Sequence, residues 1–399
     1  MSFSTAIPMN HGRFRLWIVL LASYFAGSAN AQVPLSKLRI ATYNISFYRD
    51  EPGQLLLDLQ TGEEESAKKI AEVIQRVRPD VMLLNEIDYD PTGQVLAVFQ
   101  QKYLSVGQAG QEPIEFPHTF TASVNTSKPS GLDLNQNGKL DEPDDAWGFG
   151  RYPGQYGMAV LSRFPIDKDA VRMFKNLRWS AMPDAKRPVD PKTGKPFHPD
   201  EQWNQLRLAS KSFWDVPIPV GTRRLHLLCS HPTPPVFDVP EDRNGCRNFD
   251  EIRLVADYVS PNRAHYIVDD GGTRGGLAAD ESCIILGDLN ADPVDGDSIR
   301  GAIQQLLNHS RVHSAPTPQS KGGVAAVLKP TQSRHRGNPA HDTGNFRDDG
   351  ATNLRVDYVL PSRDMNVLDS EVFWPVPGEA GAEAAMATDH RAVWVEIAP

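Results

Sequence analysis

The sequence predicts a mixed α/β domain, and three observations carry that expectation. Short apolar runs at 38–43, 81–84, 158–161, 225–229, 284–286, 356–360 and 392–397 are separated by turn residues, the pattern of buried strands. Between the first two runs, Ala67, Ile70, Ala71, Ile74 and Val77 recur at helical spacing over 63–77, and Arg78-Pro79 ends the helix. Residues 248–259 give a second helix, with Ile252, Val255 and Ala256 inward and Asn248 as its N-cap. Strands interleaved with helices make a layered α/β core.

The N-terminus reads as an export signal. His11, Arg13 and Arg15 precede an apolar run over 16–26, and Ala29-Asn30-Ala31 supplies the small residues of a cleavage site. The run is shorter than the roughly 20 residues that span a bilayer. We therefore expect a signal peptide over 1–31, a mature domain over 32–399 with no transmembrane segment after cleavage, and a secreted or periplasmic location. Loss of two arginines makes the formal charge of −9 more negative. That balance argues against broad, sequence-independent binding to a polyanion, which rests on a basic surface. Three cysteines, Cys229, Cys246 and Cys283, allow at most one bridge; Cys229 and Cys283 sit in strand-like runs and read as small core residues. Two stretches, near 105–155 and 175–215, break the strand–helix rhythm and read as insertions near the mouth of a site.

Several strands end in polar residues. The run 284–286 stops at Gly287 and then presents Asp288, Asn290 and Asp292, hard oxygen ligands and an amide at one strand end. Asn44 follows the first strand, Glu86 the second and His231 the fourth, while Asp357 is embedded in an apolar strand and Asp389-His390 precedes the last. One such tip is unremarkable. Six converging on one edge would bring together two imidazoles, several carboxylates and two amides, a set suited to activating water beside a hard divalent cation.

In this order, Tyr43-Asn44, Asn85-Glu86, Tyr156-Gly157 with Leu161-Ser162-Arg163, Ser230-His231-Pro232, Gly287-Asp288-Leu289-Asn290, Val356-Asp357-Tyr358 and Thr388-Asp389-His390 resemble the endonuclease/exonuclease/phosphatase superfamily. The resemblance implies a deoxyribonuclease-like, four-layer fold, a two-sheet sandwich flanked by helices, and hydrolysis of a phosphoester by an activated water. It implies Glu86 as the main ligand of Mg²⁺ or Mn²⁺, with Asn44 and Asp389 nearby. Asp288 would orient or deprotonate the water, Asn290 would bond a phosphate oxygen, and His390, positioned by Asp357, would polarise the phosphate or assist the base. His231 would contact the phosphate or support the leaving oxygen. Where pancreatic-type deoxyribonucleases carry an acid that pairs with the first histidine, this chain offers Tyr156, similar to the abasic-site enzymes, in which a tyrosine contacts phosphate. The substrate would be a nucleic acid, a phospholipid head group or a sugar phosphate, with no stable protein partner implied.

Two further patterns stand outside that set. Asp133, Asn135, Asn137, Lys139, Asp141 and Asp144 occupy positions one, three, five, seven, nine and twelve of a segment with Gly138 at six, as a structural Ca²⁺ loop of EF-hand type requires; the alternative is a plain Asn/Gly turn. Arg243 and Arg247 follow His231 closely enough to grip a phosphate, or to lie in a solvated turn. The rival to an enzyme is a catalytically inactive secreted binding module that keeps the scaffold and the calcium loop.

Overall fold

A computed structural model describes residues 1–6, 37–221, 223–238, 240–329, 332–346 and 353–398. The expected signal peptide lies almost wholly outside these residues. Met1–Pro34 separates from the compact unit Leu35–Pro399, which holds every element below.

The period-two alternation of the strands decides the layering. In β1 (Leu38–Phe47), Leu38 and Ile40 point into one core while Ala41, Tyr43, Ile45 and Phe47 point into another. In β2 (Val81–Ile87), Val81 and Leu83 oppose Met82 and Leu84 in the same way. These strands join β3 (His118–Phe120), β4 (Gly157–Ser162), β10 (Asn366–Val372) and β11 (Val393–Ala398) in a six-stranded sheet of order β10-β11-β1-β2-β4-β3. The second sheet has five strands, β5 (Arg172–Met173), β6 (Phe213–Val220), β7 (Arg223–Ser230), β8 (Ser282–Asp288) and β9 (Asp357–Pro361), in that order. Leu227 of β7 and Ile284 and Leu286 of β8 face the first sheet, whereas Leu228, Cys283 and Ile285 face away.

Helices cover the outer faces. On the six-stranded sheet lie α1 (Gln54–Gln60), α2 (Glu65–Val77) and α3 (Gln94–Phe99). Helix α2 buries Ala67, Ile70, Ala71, Ile74 and Val77, and Arg78 closes it in the left-handed region at φ 50° before Pro79. Each buried isoleucine contributes about 2 kcal/mol. After the one-turn α4 (Asp200–Trp203), α5 (Arg243–Tyr258) covers the five-stranded sheet with Ile252, Val255 and Ala256. Three cores between four layers form the expected two-sheet sandwich.

Helix α5 begins five residues earlier than the sequence suggests. Its N-cap is Asp242, and Asn248 lies in its interior, fully buried. No described cysteine forms a disulfide; Cys229 and Cys283 are buried core residues.

Each sheet contains one parallel pair, β1/β2 and β7/β8, with antiparallel neighbours. The C-terminal ends of the parallel strands therefore share one end of the sandwich with the starts of β4, β9 and β11.

Candidate active site

Register brings the polar tips together before any side chain is considered. Asn44 pairs with Asn85, Asp288 with Asp357, and Gly157, which follows Tyr156, with Ile87. Beyond the tips the alternation is deliberately broken. β1 shifts register between Asn44 and Phe47, and β2 between Asn85 and Ile87. Ser46, Glu86, Tyr156 and Asn290 all have positive φ, 49°, 60°, 59° and 51°. Each such residue costs on the order of 1 kcal/mol, and bulges of this kind re-aim side chains beside active sites. Gly287, at φ 144°, lets β8 approach β7: a Cβ there would lie 1.9 Å from the Ser230 carbonyl oxygen.

Asparagines stitch the two sheets at this end. Asn44 Nδ2 donates to Asp288 Oδ2 at 3.0 Å, and the Asp288 backbone N–H donates to Asn85 Oδ1 at 3.3 Å. Asn290 N donates to Asp288 Oδ1 at 3.0 Å, and its side-chain amide donates to the Pro232 carbonyl at 3.2 Å. Asp288 is thus fixed at both oxygens.

Two histidines flank it. His390 Nε2 and His231 Nε2 each lie 3.6 Å from Asp288 Oδ2, and His231 is also 3.8 Å from Glu86 Oε1. His390 Nδ1 contacts Asp357 Oδ2 at 2.9 Å, whereas neither His231 nitrogen has a hydrogen-bond partner. Burial opposes the His390 charge, but Asp357 and Asp288 outweigh it and push its pKa up to about 10. Burial, with Lys211 and His390, holds His231 well below its ordinary 6.5. Burial raises Asp288 to about 7, against the attraction of His390, and raises Glu86 as well. The ligand atoms of Asp288, Asp357 and His390 lie within 4.8 Å of one another, a spacing open to a metal ion. The short Asp357–His390 hydrogen bond favours a proton-handling set instead.

Glu86, Asn44 and Asp389 offer hard oxygen donors. Asp389 sits half exposed at the rim, and its charge adds to the burial that raises Glu86. A buried carboxylate whose charged form is disfavoured, as at Glu86, is a setting that a divalent cation relieves, so Glu86 with the oxygens of Asn44 and Asp389 fits Mg²⁺ or Mn²⁺.

The cleft has two lobes that share Tyr48, Glu86, Pro234, Val236 and Phe237. The first, about 950 Å³, holds Asp288, Asn290, Asp389 and His390 with Arg334 and Arg336. Both arginines are exposed, Arg336 paired with Asp295, while the His335 side chain between them is buried, 3.0 Å from Asp342. The second lobe, about 590 Å³, is walled by both expected insertions, through Leu134, Asp144 and Phe149 on one side and Trp179, Arg207 and Lys211 on the other. Tyr156 lines it with its ring 4.7 Å from that of Tyr48, its hydroxyl pushed up to about 12 by burial and by the Tyr48 and Glu86 charges.

Arg243 also lines the second lobe, pairing with Glu241 at 3.0 Å and reaching Asp144 at 3.8 Å. Arg247 donates to the carbonyls of Leu208, Trp147 and Arg207, so its guanidinium clamps backbone.

The 133–144 loop closes on itself. Asp133 accepts from the N–H groups of Asn137 and Gly138, Asn135 Oδ1 from Asn137 N, and Asn137 Oδ1 from Lys139 N. Its base is sealed by Asp145, which accepts from Leu134 N, while Asp144 at position twelve turns toward Arg243. Among the described residues, the Asp133, Asp141 and Asp144 carboxylates do not converge as a ligand group. No long helices flank the loop to carry position twelve inward as an EF-hand does.

Sequence reasoning missed the supports. Asn248 Nδ2 donates to the carbonyls of Thr233 and Leu289, and Glu251 accepts from Thr233 N at 2.6 Å and Ser210 N at 2.7 Å. Both are polar residues on the face of α5 that carries Ile252 and Val255, and that departure from the apolar stripe was the available signal. Lys211, buried in the second lobe, gave none.

The sequence profile of the Endonuclease/Exonuclease/phosphatase family matches residues 41–390. No curated protein matches the chain. Among solved structures, an endonuclease/exonuclease/phosphatase from Beutenbergia cavernae DSM 12333 is similar at 16% identity and a TM-score of 0.48, covering 91% of this chain and 72% of that one. Sphingomyelinase C from Streptomyces griseocarneus is similar at 16% identity and 0.44, covering 90% and 99%. A magnesium-bound beta toxin mutant from Staphylococcus aureus is similar at 13% identity and 0.44, with the same coverage. The profile spans the ordered strand tips from Asn44 to His390, and on that ground the chain belongs to the Endonuclease/Exonuclease/phosphatase family.

Proposed function

We propose that the chain is an exported, Mg²⁺- or Mn²⁺-dependent hydrolase of a phosphodiester or phosphomonoester. The observation that carries this reading is Asp288, fixed at both oxygens, near pKa 7, between one cationic and one neutral imidazole in the same cleft as Glu86. A carboxylate tuned to neutrality is suited to take a proton from water. His390, kept charged by Asp357, faces the negative charge that develops on the phosphate. Asn290 has a second amide N–H free for a phosphate oxygen, and neutral His231 stands ready to bond the leaving side. A divalent ion held by Glu86, with Asn44 and Asp389, would neutralise charge at the same phosphate. No basic stripe favours nucleic acid over a phospholipid head group or sugar phosphate.

Purified mature protein is assayed on bis(4-nitrophenyl) phosphate and 4-nitrophenyl phosphate with Mg²⁺, Mn²⁺ or chelator, beside Glu86→Gln. Metal-stimulated turnover lost in the variant supports the reading. Absence of such turnover on these esters and on DNA, RNA, sphingomyelin and inositol phosphates would sink it and favour an inactive binding module.

A further inference from the structure

Lys211 is 7% exposed, yet among the described residues its ammonium makes no hydrogen bond and no ion pair. Its side chain lines the second lobe of the cleft beside Glu86 and Tyr156. The carboxylates whose fields it feels most, Glu251, Glu86 and Asp288, all stop short of ion-pair distance. Two of them belong to the reaction centre, and the third is occupied by Ser210 and Thr233.

The surrounding chain imposes this placement. Ser210 is held by Glu251 through both its N–H and its hydroxyl, and the Lys211 carbonyl accepts from Asn125 N at 2.9 Å. Gly148 packs so tightly that a Cβ would lie 1.9 Å from the Ser210 carbonyl oxygen. Both excursions from the strand–helix rhythm thus converge on Lys211. The Lys211 stem is buried while its Nζ opens to the cleft, so its three N–H donors have no protein acceptor and face the space a ligand would fill. Polypeptides keep such a group where a ligand supplies the acceptors.

We propose that Lys211 is a substrate-contacting residue that donates to an oxygen of the phosphoryl group bound beside Asp288, from the second-lobe side of the cleft. The assignment rests on the phosphoester-hydrolase reading and adds to it a cation that the ordered motifs do not include. Glu86 and Asp288 face the phosphate with negative charge, and Lys211 offsets that charge at the oxygen they would repel.

The test compares wild type with Lys211→Met, Lys211→Gln and Lys211→Arg by two readouts. On bis(4-nitrophenyl) phosphate with Mg²⁺, the Met and Gln variants are expected to lose roughly 100-fold in kcat/KM, the scale of removing one preorganised donor, with partial rescue by Arg. In thermal unfolding, the same variants keep the wild-type Tm, because the Lys211 ammonium makes no hydrogen bond or ion pair within the protein. Inorganic phosphate raises the wild-type Tm but not theirs. A Met or Gln variant within three-fold of wild-type kcat/KM overturns the assignment. So does a lowered Tm with an undiminished phosphate shift, which marks a structural lysine, and so does the absence of any phosphate shift in the wild type. The phosphate arm needs no turnover, so a failed hydrolase reading and a failed Lys211 assignment are told apart.

Discussion

His390 and His231 stand at the same 3.6 Å from Asp288 Oδ2, one on each flank, and differ in everything behind the ring. His390 rests on Asp357 and carries its charge far above neutrality; His231 has no partner at either nitrogen and lies in the field of Lys211. Equal distances to the shared carboxylate therefore give unequal chemistry. What decides the role of each imidazole is the group behind it, a cation on one flank and a neutral donor or acceptor on the other.

Removing the shared carboxylate tests both flanks at once. Asp288→Asn should lower kcat by ~10³-fold, within the range for general-base catalysis, with the fold intact by circular dichroism. A loss under ten-fold would mean that neither histidine surrounds the working base. Next in size, His390→Gln should cost roughly 100-fold or more in kcat/KM, against about ten-fold for His231→Gln. Equal losses on the same substrate would erase the proposed asymmetry. Asp357→Asn should cost about 10- to 100-fold and move the alkaline limb of the pH–rate profile to lower pH, since the carboxylate that sustains the His390 charge is gone. An unmoved limb would show that Asp357 acts only in packing.

The smallest effect concerns a second buried pair, His335–Asp342, which braces the first lobe and does not face Asp288. Unfolded, Asp342 loses its proton near 3.8; folded, burial keeps it until about 7 in spite of His335. Between those values the folded chain holds the extra proton, so this group's contribution to stability falls as pH rises. Asp342→Asn should flatten that part of the Tm–pH curve and leave kcat/KM near wild type. A parallel loss of activity would make the brace part of the site.

The strand tips were legible because each is a polar residue where an apolar run ends or begins, and the ordering of seven such motifs pointed to the family. The edges were not. β6 carries Pro217 and Pro219, which argue against a strand, yet its partner β5 pairs only with Asp215 and Trp214, so the prolines fall beyond the β5 ladder, where Asp167 N donates to the Pro217 carbonyl at 3.0 Å. β10 is mostly exposed and offers little hydrophobic pattern to read. Within the site, Asn44, Glu86, Asp288 and His390 were visible as motif members, whereas Lys211 acquires meaning only from the two excursions that enclose it. The start of α5 was misplaced because Asn248 resembles a cap. Its amide instead ties Thr233 to Leu289, a contact between segments 56 positions apart that no local pattern records.

The second lobe bears on how chains of this family would diversify. Apart from Lys211, its outer wall is built from 134–149 and 179–207, while the other reacting groups hang from strand ends in the rigid sandwich. Length or composition can change in that wall without moving Asp288 relative to His390. The architecture thus lets the wall vary while the strand tips and Lys211 stay in place, so exchange of the wall around Lys211 is the economical route to a new specificity.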